Sequence, residues 1–175
     1  MAAKFITFAF LALFAAPLIT RAEEAAYKAE DIVKFFDNAA HGATRGICVG
    51  TEEECGTAET GTKPLSFNLL VNFEKNSANL TESARTNLLE FSRALTDPRL
   101  NSARFAIDGY TDASGTESYN LGLSERRAKS VVSFLAEQGV DASKLAPAGH
   151  GETNPRAEDP FDPVNRRVEA KLAIQ

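Results

Sequence analysis

The 175-residue chain carries 24 acidic against 19 basic residues, a formal net charge of −5. A balance of that sign does not draw a protein to nucleic acid or to anionic lipid through bulk electrostatics. The length suits one ordinary domain with a short extension, and no transmembrane barrel fits within it.

The first 22 residues read as a secretory signal peptide. Lys4 supplies the positive start, Phe5 to Ile19 form the apolar run, and Thr20-Arg21-Ala22 offers a small-x-small cleavage site. The run falls short of the ~20 apolar residues that span a bilayer, and Pro17 interrupts it. No cysteine sits at the cleavage region, so no lipid anchor is expected. Cleavage after Ala22 would leave 153 residues with 17 basic and 24 acidic side chains, net −7.

Residues 23–63 form an N-terminal extension. Ile32, Val33, Phe35 and Phe36 recur among Glu30, Asp31, Lys34 and Asp37, which predicts a short amphipathic helix over 26–40 whose apolar face must dock on something. The stretch 42–63 is rich in Gly, Thr and Glu and reads as a loop and linker. It holds the only two cysteines, Cys48 and Cys55. In an exported protein that pair is expected to form a disulfide stapling the extension. A zinc site would need a CxxC pair and two further ligands that the segment lacks, so no metal is expected.

The main domain spans 64–175. Leu65 to Phe73, rich in Phe, Leu and Val, predicts a buried strand. Thr81 caps a helix that runs through Leu88, Leu89, Phe91 and Leu95 and stops before Pro98. Arg104 to Tyr110 is a second strand. Glu117 or Ser118 opens a long helix that Gly139 ends. Leu145 to Gly149 is a short third strand, and the last, Arg167 to Ile174, alternates Val168, Ala170, Leu172 and Ile174. The order β-α-β-α-β-β predicts an α+β sandwich, with helices packed on one face of a mixed four-stranded sheet.

Within the long helix one residue sits on the wrong side. Ala128, Val131, Val132, Phe134 and Leu135 share an apolar arc, and Arg127 lies at roughly 50° from its middle, whereas Arg126 lies at roughly 150°, among the solvated residues. A guanidinium facing inward keeps its charge and needs an acceptor, because an unpaired buried charge costs several kcal/mol. The nearest upstream candidate is Asp112, in the loop Gly109-Tyr-Thr-Asp-Ala-Ser-Gly115. Two roles are open for the pair: an internal ion pair that fixes the loop to the helix, or a ligand clamp.

The segments GYTDASG, YNLGLSERRAKSVVSFL, GVDASKLAPAGHGETNP and NRRVEAKL, with FEKNSANL after the first strand, resemble the OmpA-like C-terminal domain in order and spacing from about Leu65 to Ile174. That family binds peptidoglycan without cleaving it. The resemblance implies that Asp112 and Arg127 are the ligand aspartate and arginine, and that Asn76 and Asn120 make secondary polar contacts. Tyr110 stands where many relatives have histidine. The expected ligand is diaminopimelate in the wall's stem peptide, whose unlinked end presents an ammonium to Asp112 and a carboxylate to the planar fork of Arg127. A lysine-type stem lacks that carboxylate.

The function expected is therefore non-covalent binding of diaminopimelate-type peptidoglycan in the periplasm and anchoring of the cell envelope, with or without association with the outer membrane. An alternative is an envelope adaptor whose extension recruits a partner protein. No enzyme activity and no cofactor are expected: HExxH, a nucleophile elbow and a phosphate loop are all missing. Asp112 and Glu152 could in principle form a glycosidase pair, but the chain has no residues left to build a glycan cleft. His150, in a turn, reads as a solvated residue. Arg166 and Arg167 read as fold residues pairing with a carboxylate, and Gly109, Gly115, Gly149 and Gly151 as turn glycines.

Overall fold

The computed structural model describes residues 24–42, 66–74 and 76–173. The signal segment, the linker and the Cys48–Cys55 pair lie outside them. In chain order the elements are α1 (Ala29–Gly42), β1 (Ser66–Asn68), α2 (Glu82–Leu95), β2 (Phe105–Tyr110), α3 (Glu117–Glu137), β3 (Leu145–Gly149) and β4 (Arg167–Leu172), with 3-10 turns before β2, β3 and β4. The sheet order is β1-β4-β2-β3. The β2–β3 pair is parallel and the other two pairs are antiparallel, so the sheet is mixed as expected.

Register explains why the helices gather on one side. Phe67 pairs with Ala170, and Ala170 with Ile107, so these side chains share a face. On that face Phe36 of α1 meets Phe105 edge-on at 4.9 Å, and Phe91 of α2 meets the same ring at 6.3 Å. Ile32, Val33 and Phe36 are buried in the same core as Leu88, Phe91, Val131 and Leu135. The amphipathic helix of the extension thus docks on its own domain, and its apolar face is not available to a recruited partner. Polar contacts fix it further: Ala26 N donates to Asn87 Oδ1 at 2.8 Å, and the Tyr27 hydroxyl donates to Leu69 O at 2.8 Å.

The first strand is shorter than the sequence suggests. After Asn68 the chain turns, with Leu70 at φ +47° and its N–H donating to Asn68 Oδ1. The apolar residues that follow serve the core without extending the sheet: Leu69 and Val71 are buried, and Asn87 of α2 donates to Leu70 O at 3.0 Å. Elsewhere the ends match their chemistry. Thr81 Oγ1 caps α2 through Ala84 N, and Thr116 Oγ1 caps α3 through Tyr119 N. Gly139 follows the last turn of α3 at φ +90°.

Two of the expected turn glycines belong to strands. Gly109 lies in β2 and Gly149 in β3, under the crossing helix α3. A Cβ on Gly109 would stand 2.4 Å from Ser124 O, and one on Gly149 would stand 2.4 Å from Glu125 N. The absence of a side chain, not a special φ, is what these positions require. Gly115 and Gly151, at φ +121° and +56°, do fit the turn role.

The other face of the sheet carries charge. Glu169 of β4 accepts from Arg167 Nε at 2.6 Å and from Arg156 Nη2 at 3.1 Å, while Lys171 Nζ donates to Asp108 Oδ2 at 2.6 Å and to the Tyr110 hydroxyl at 2.8 Å. Arg167 also lies 3.9 Å over the Tyr110 ring. His150 keeps a side chain 35% exposed but also joins this layer: its ring stacks on Tyr110 at 4.9 Å and its Nε2 stands 3.2 Å from Asp108 Oδ1. Burial alone would raise the Glu169 carboxyl, but hydrogen bonding and charge from Arg167, with help from Lys171, outweigh it and hold the group below its usual range.

Two outcomes follow from this packing. Gly149→Ala places a methyl against helix backbone that cannot swing aside, and should cost about 1–3 kcal/mol of stability in urea unfolding; a wild-type midpoint would show that α3 yields freely. Because the folded Glu169 carboxyl is depressed, its stabilisation is present above its unfolded value of about 4.3 and is lost as pH falls through the lower folded value. The melting temperature should therefore drop more steeply between pH 5 and 3 in the wild type than in Glu169→Gln, and equal slopes would remove Glu169 as the cause.

Candidate functional site

At the C-terminal end of β2 the chain turns away from the sheet and delivers Thr111 and Asp112. The loop is pinned twice by backbone: Thr111 N donates to Gly151 O at 2.8 Å and Ala113 N to Pro160 O at 3.0 Å. Helix α3 starts just beyond. Asn120, Leu123 and Arg127 recur at helical spacing and present one face to that loop. The segment after β1 closes the third side by folding back on itself through the Phe73–Leu80 bridge. Asn76 sits in this fold-back at φ +52°, a left-handed conformation that asparagine tolerates.

These pieces enclose a cavity of about 510 Å³. Asp112, Arg127, Asn76 and Asn120, the four residues expected from the sequence, all line it, and the rest of its lining includes Phe73, Thr111, Tyr119, Arg166 and the exposed Glu74. Asp112 is 6% exposed and Arg127 7%, so two opposite charges are held nearly buried at one opening. The Thr111 hydroxyl is buried with no partner among the described residues.

The pairing within the site differs from the simplest expectation. Among the described residues no ion pair within 4.0 Å joins Asp112 to Arg127. Asp112 Oδ2 instead accepts from Arg166 Nη1 at 2.6 Å, and Oδ1 accepts from Ser114 N at 3.0 Å. Arg127 donates from Nε to Ser77 O at 3.1 Å, and its guanidinium lies 4.9 Å over the Phe73 ring. That arrangement gives the charge a carbonyl dipole and a π face but no carboxylate. Arg166, expected to serve the fold, is thus a wall of the site, while its neighbour Arg167 does pair with Glu169 on the opposite sheet face.

The electrostatics follow from these contacts. Burial by itself would raise the Asp112 carboxyl; the hydrogen bonds from Arg166 and Ser114 outweigh it, so the group titrates below its ordinary value and stays ionised. Burial lowers the Arg127 guanidinium from its usual value, Arg166 lowers it further, and Asp112 opposes both. An arginine keeps its proton under such a shift. The cost of burying it remains as an unmet demand for an anion.

Asn120 has a structural task as well. It is 1% exposed, and its Nδ2 donates to Asp112 O at 3.2 Å and to Glu152 Oε2 at 2.6 Å, bracing the Asp112 loop against the turn after β3. Glu152, the other half of the imagined glycosidase pair, is committed to that brace. No group of three or more His, Cys, Asp or Glu among the described residues is placed to hold a metal ion.

Several known proteins are similar to this chain in sequence or fold. The Outer membrane protein A of Escherichia fergusonii is 36% identical over 110 residues, covering 63% of this chain and 45% of that protein. That of Klebsiella pneumoniae is 38% identical over 112 residues, covering 63% and 32%. The match therefore spans less than half the length of these relatives. Among solved structures, the OmpA-like domain of FopA1 from Francisella tularensis aligns with a TM-score of 0.53 at 27% identity, over 59% of this chain and 71% of that one. The peptidoglycan-associated lipoprotein from Burkholderia pseudomallei aligns with a TM-score of 0.51 at 26% identity, over 60% and 88%. Residues 72–169 match the sequence profile of the OmpA family, and the chain belongs to that family.

Proposed function

We propose that this protein binds diaminopimelate-type peptidoglycan non-covalently in the periplasm and anchors a component of the cell envelope to the wall, without cleaving it. The observation that carries this reading is the nearly buried Arg127, without a carboxylate partner among the described residues, in the same cavity as an ionised Asp112. A zwitterion, one ammonium and one carboxylate on a single carbon, meets both demands at once. Asp112 takes the ammonium, Arg127 takes the carboxylate through its planar fork, and Asn76 and Asn120 supply polar edges.

The family relationship supports the same assignment, since one similar structure is itself named as peptidoglycan-associated. Each charge-assisted contact contributes on the order of 1.5–3 kcal/mol. A single site of this kind holds its ligand modestly, and a polymeric wall strengthens attachment through repeated sites and rebinding.

Co-sedimentation with purified sacculi tests the reading. The wild type should pellet with diaminopimelate-type sacculi and stay largely in the supernatant with lysine-type walls, which lack the carboxylate for Arg127. Arg127→Ala should lose most of the pelleted fraction while keeping a wild-type far-ultraviolet circular dichroism spectrum. Equal pelleting of wild type and a folded Asp112→Asn/Arg127→Ala double variant would refute the assignment, and release of soluble muropeptides would show a hydrolase instead.

A further inference from the structure

A second cavity, of about 330 Å³, lies beside the first and shares Phe73, Arg127 and Arg166 with it. Its remaining lining includes Asn72, Tyr110 and Arg167 and, among the described residues, no carboxylate. Three guanidiniums therefore edge one hollow. Arg167 is already satisfied by Glu169, Asn165 O and Asn154 O. The donors with capacity to spare are those of Arg127 and of Arg166, whose side chain is 47% exposed.

Loading the first cavity changes the balance around Arg166. Asp112 has one oxygen on Ser114 N and the other on Arg166. An ammonium that takes Asp112 must share or displace Arg166, and so brings a second cation against it. Both cations are then served by one carboxylate, which is unfavourable in a partly desolvated site. Arg166 can relieve this by turning toward the second cavity, provided that an anion waits there.

We propose that this second cavity is an anion subsite that takes a further carboxylate of the same ligand, with Arg166 as the residue shared between the two subsites. The proposal rests on the zwitterion reading above and extends it. Glu74 also borders the first cavity, but it is exposed, accepts from Asn79 Nδ2 at 3.0 Å and does not reach the second; where the two cavities meet, Asp112, Arg127 and Arg166 present one negative and two positive charges. Their complement is a ligand with one ammonium and two carboxylates, one on the ammonium-bearing carbon and one farther along. A ligand carrying the zwitterion alone leaves Arg166 in competition for Asp112 and binds less well.

Two probes separate these ideas in isothermal titration against the full chain. The first is meso-diaminopimelate acylated on one amino group, which keeps one free ammonium-carboxylate centre and the second carboxylate. The other is the same molecule with that second carboxylate converted to a primary amide. The wild type should favour the first by about three- to tenfold, the scale of one charge-assisted contact at a half-exposed arginine. In Arg166→Gln that ratio should fall to near one, with Arg166→Lys between, and thermal melts of both variants establish that each is folded. Equal wild-type affinity for the two probes, or a preference that survives Arg166→Gln, overturns the subsite and leaves the zwitterion reading standing. If neither probe binds the wild type, the zwitterion reading itself fails and the subsite with it.

Discussion

The site depends on how closely α3 lies on the sheet. Where the helix crosses β2 and β3, Gly109 and Gly149 leave no room for even a methyl group, since a Cβ at either would sit 2.4 Å from helix backbone. Contact at this depth locks the position of the helix along the strands, and Ser124 Oγ accepts from Gly151 N at 2.8 Å to fix it. Asn120 stands one turn before that contact and Arg127 nearly one turn after. The glycines therefore decide where both residues fall relative to the Asp112 loop, which leaves the end of β2 two residues beyond Gly109. A looser helix would carry the guanidinium away from the carboxylate, and a polar site held by a shifting scaffold loses the geometry that makes it selective.

Among the described residues the buried charges, Asp108, Arg167 and Glu169 on one side and Asp112 and Arg127 on the other, fall into two sets. On the far sheet face Glu169, Arg167, Arg156, Lys171 and Asp108 meet one another at hydrogen-bond distance, a closed set whose demands are met within the fold. On the near side Asp112, Arg166 and Arg127 form an open set: one carboxylate serves one arginine, and the second rests on a carbonyl and an aromatic ring. Buried charges in the first set answer a structural need, and replacing one member leaves its partners stranded. The second set leaves Arg127 without a carboxylate among the described residues, and the proposed ligand would complete it. Tyr110 and Arg167, which belong to the first set, also line the second cavity.

Periodicity made most of the architecture legible in the sequence. The alternation in Arg167 to Leu172 and the apolar arc of Ala128 to Leu135 identify a strand and a helix face because those patterns report burial directly. Arg127 was legible for the same reason, as a charge inside an apolar arc. What it pairs with was not, because pairing depends on contacts between segments far apart in the chain: Arg127 reaches Ser77, 50 positions away, and Asp112 reaches Arg166, 54 positions away. Arg166 also sits just ahead of its strand, outside any alternation that would assign it a face. The two strand glycines look like turn residues in a sequence, since a requirement for no side chain and a requirement for positive φ select the same amino acid. The stacking of His150 is hidden from the sequence for a similar reason, as its partner Tyr110 lies 40 positions upstream.

The overall charge and the local charge point in opposite directions, and that contrast bears on selectivity. With a net charge of −5 the chain gains nothing from long-range attraction to an anionic polymer. Its two adjoining cavities, however, share a pair of guanidiniums. Salt screens exposed charges over about 8–10 Å, but it reaches a side chain that is 7% exposed far less. Recognition built this way responds to the arrangement of charges on a ligand and not to its total. An anion without the ammonium leaves Asp112 to Arg166, and an amine without the carboxylate leaves Arg127 as it stands, on Ser77 O and Phe73. On the proposed reading, a ligand that offers both on one centre changes the state of all three residues together, while the net negative charge of the protein disfavours anions that lack the ammonium.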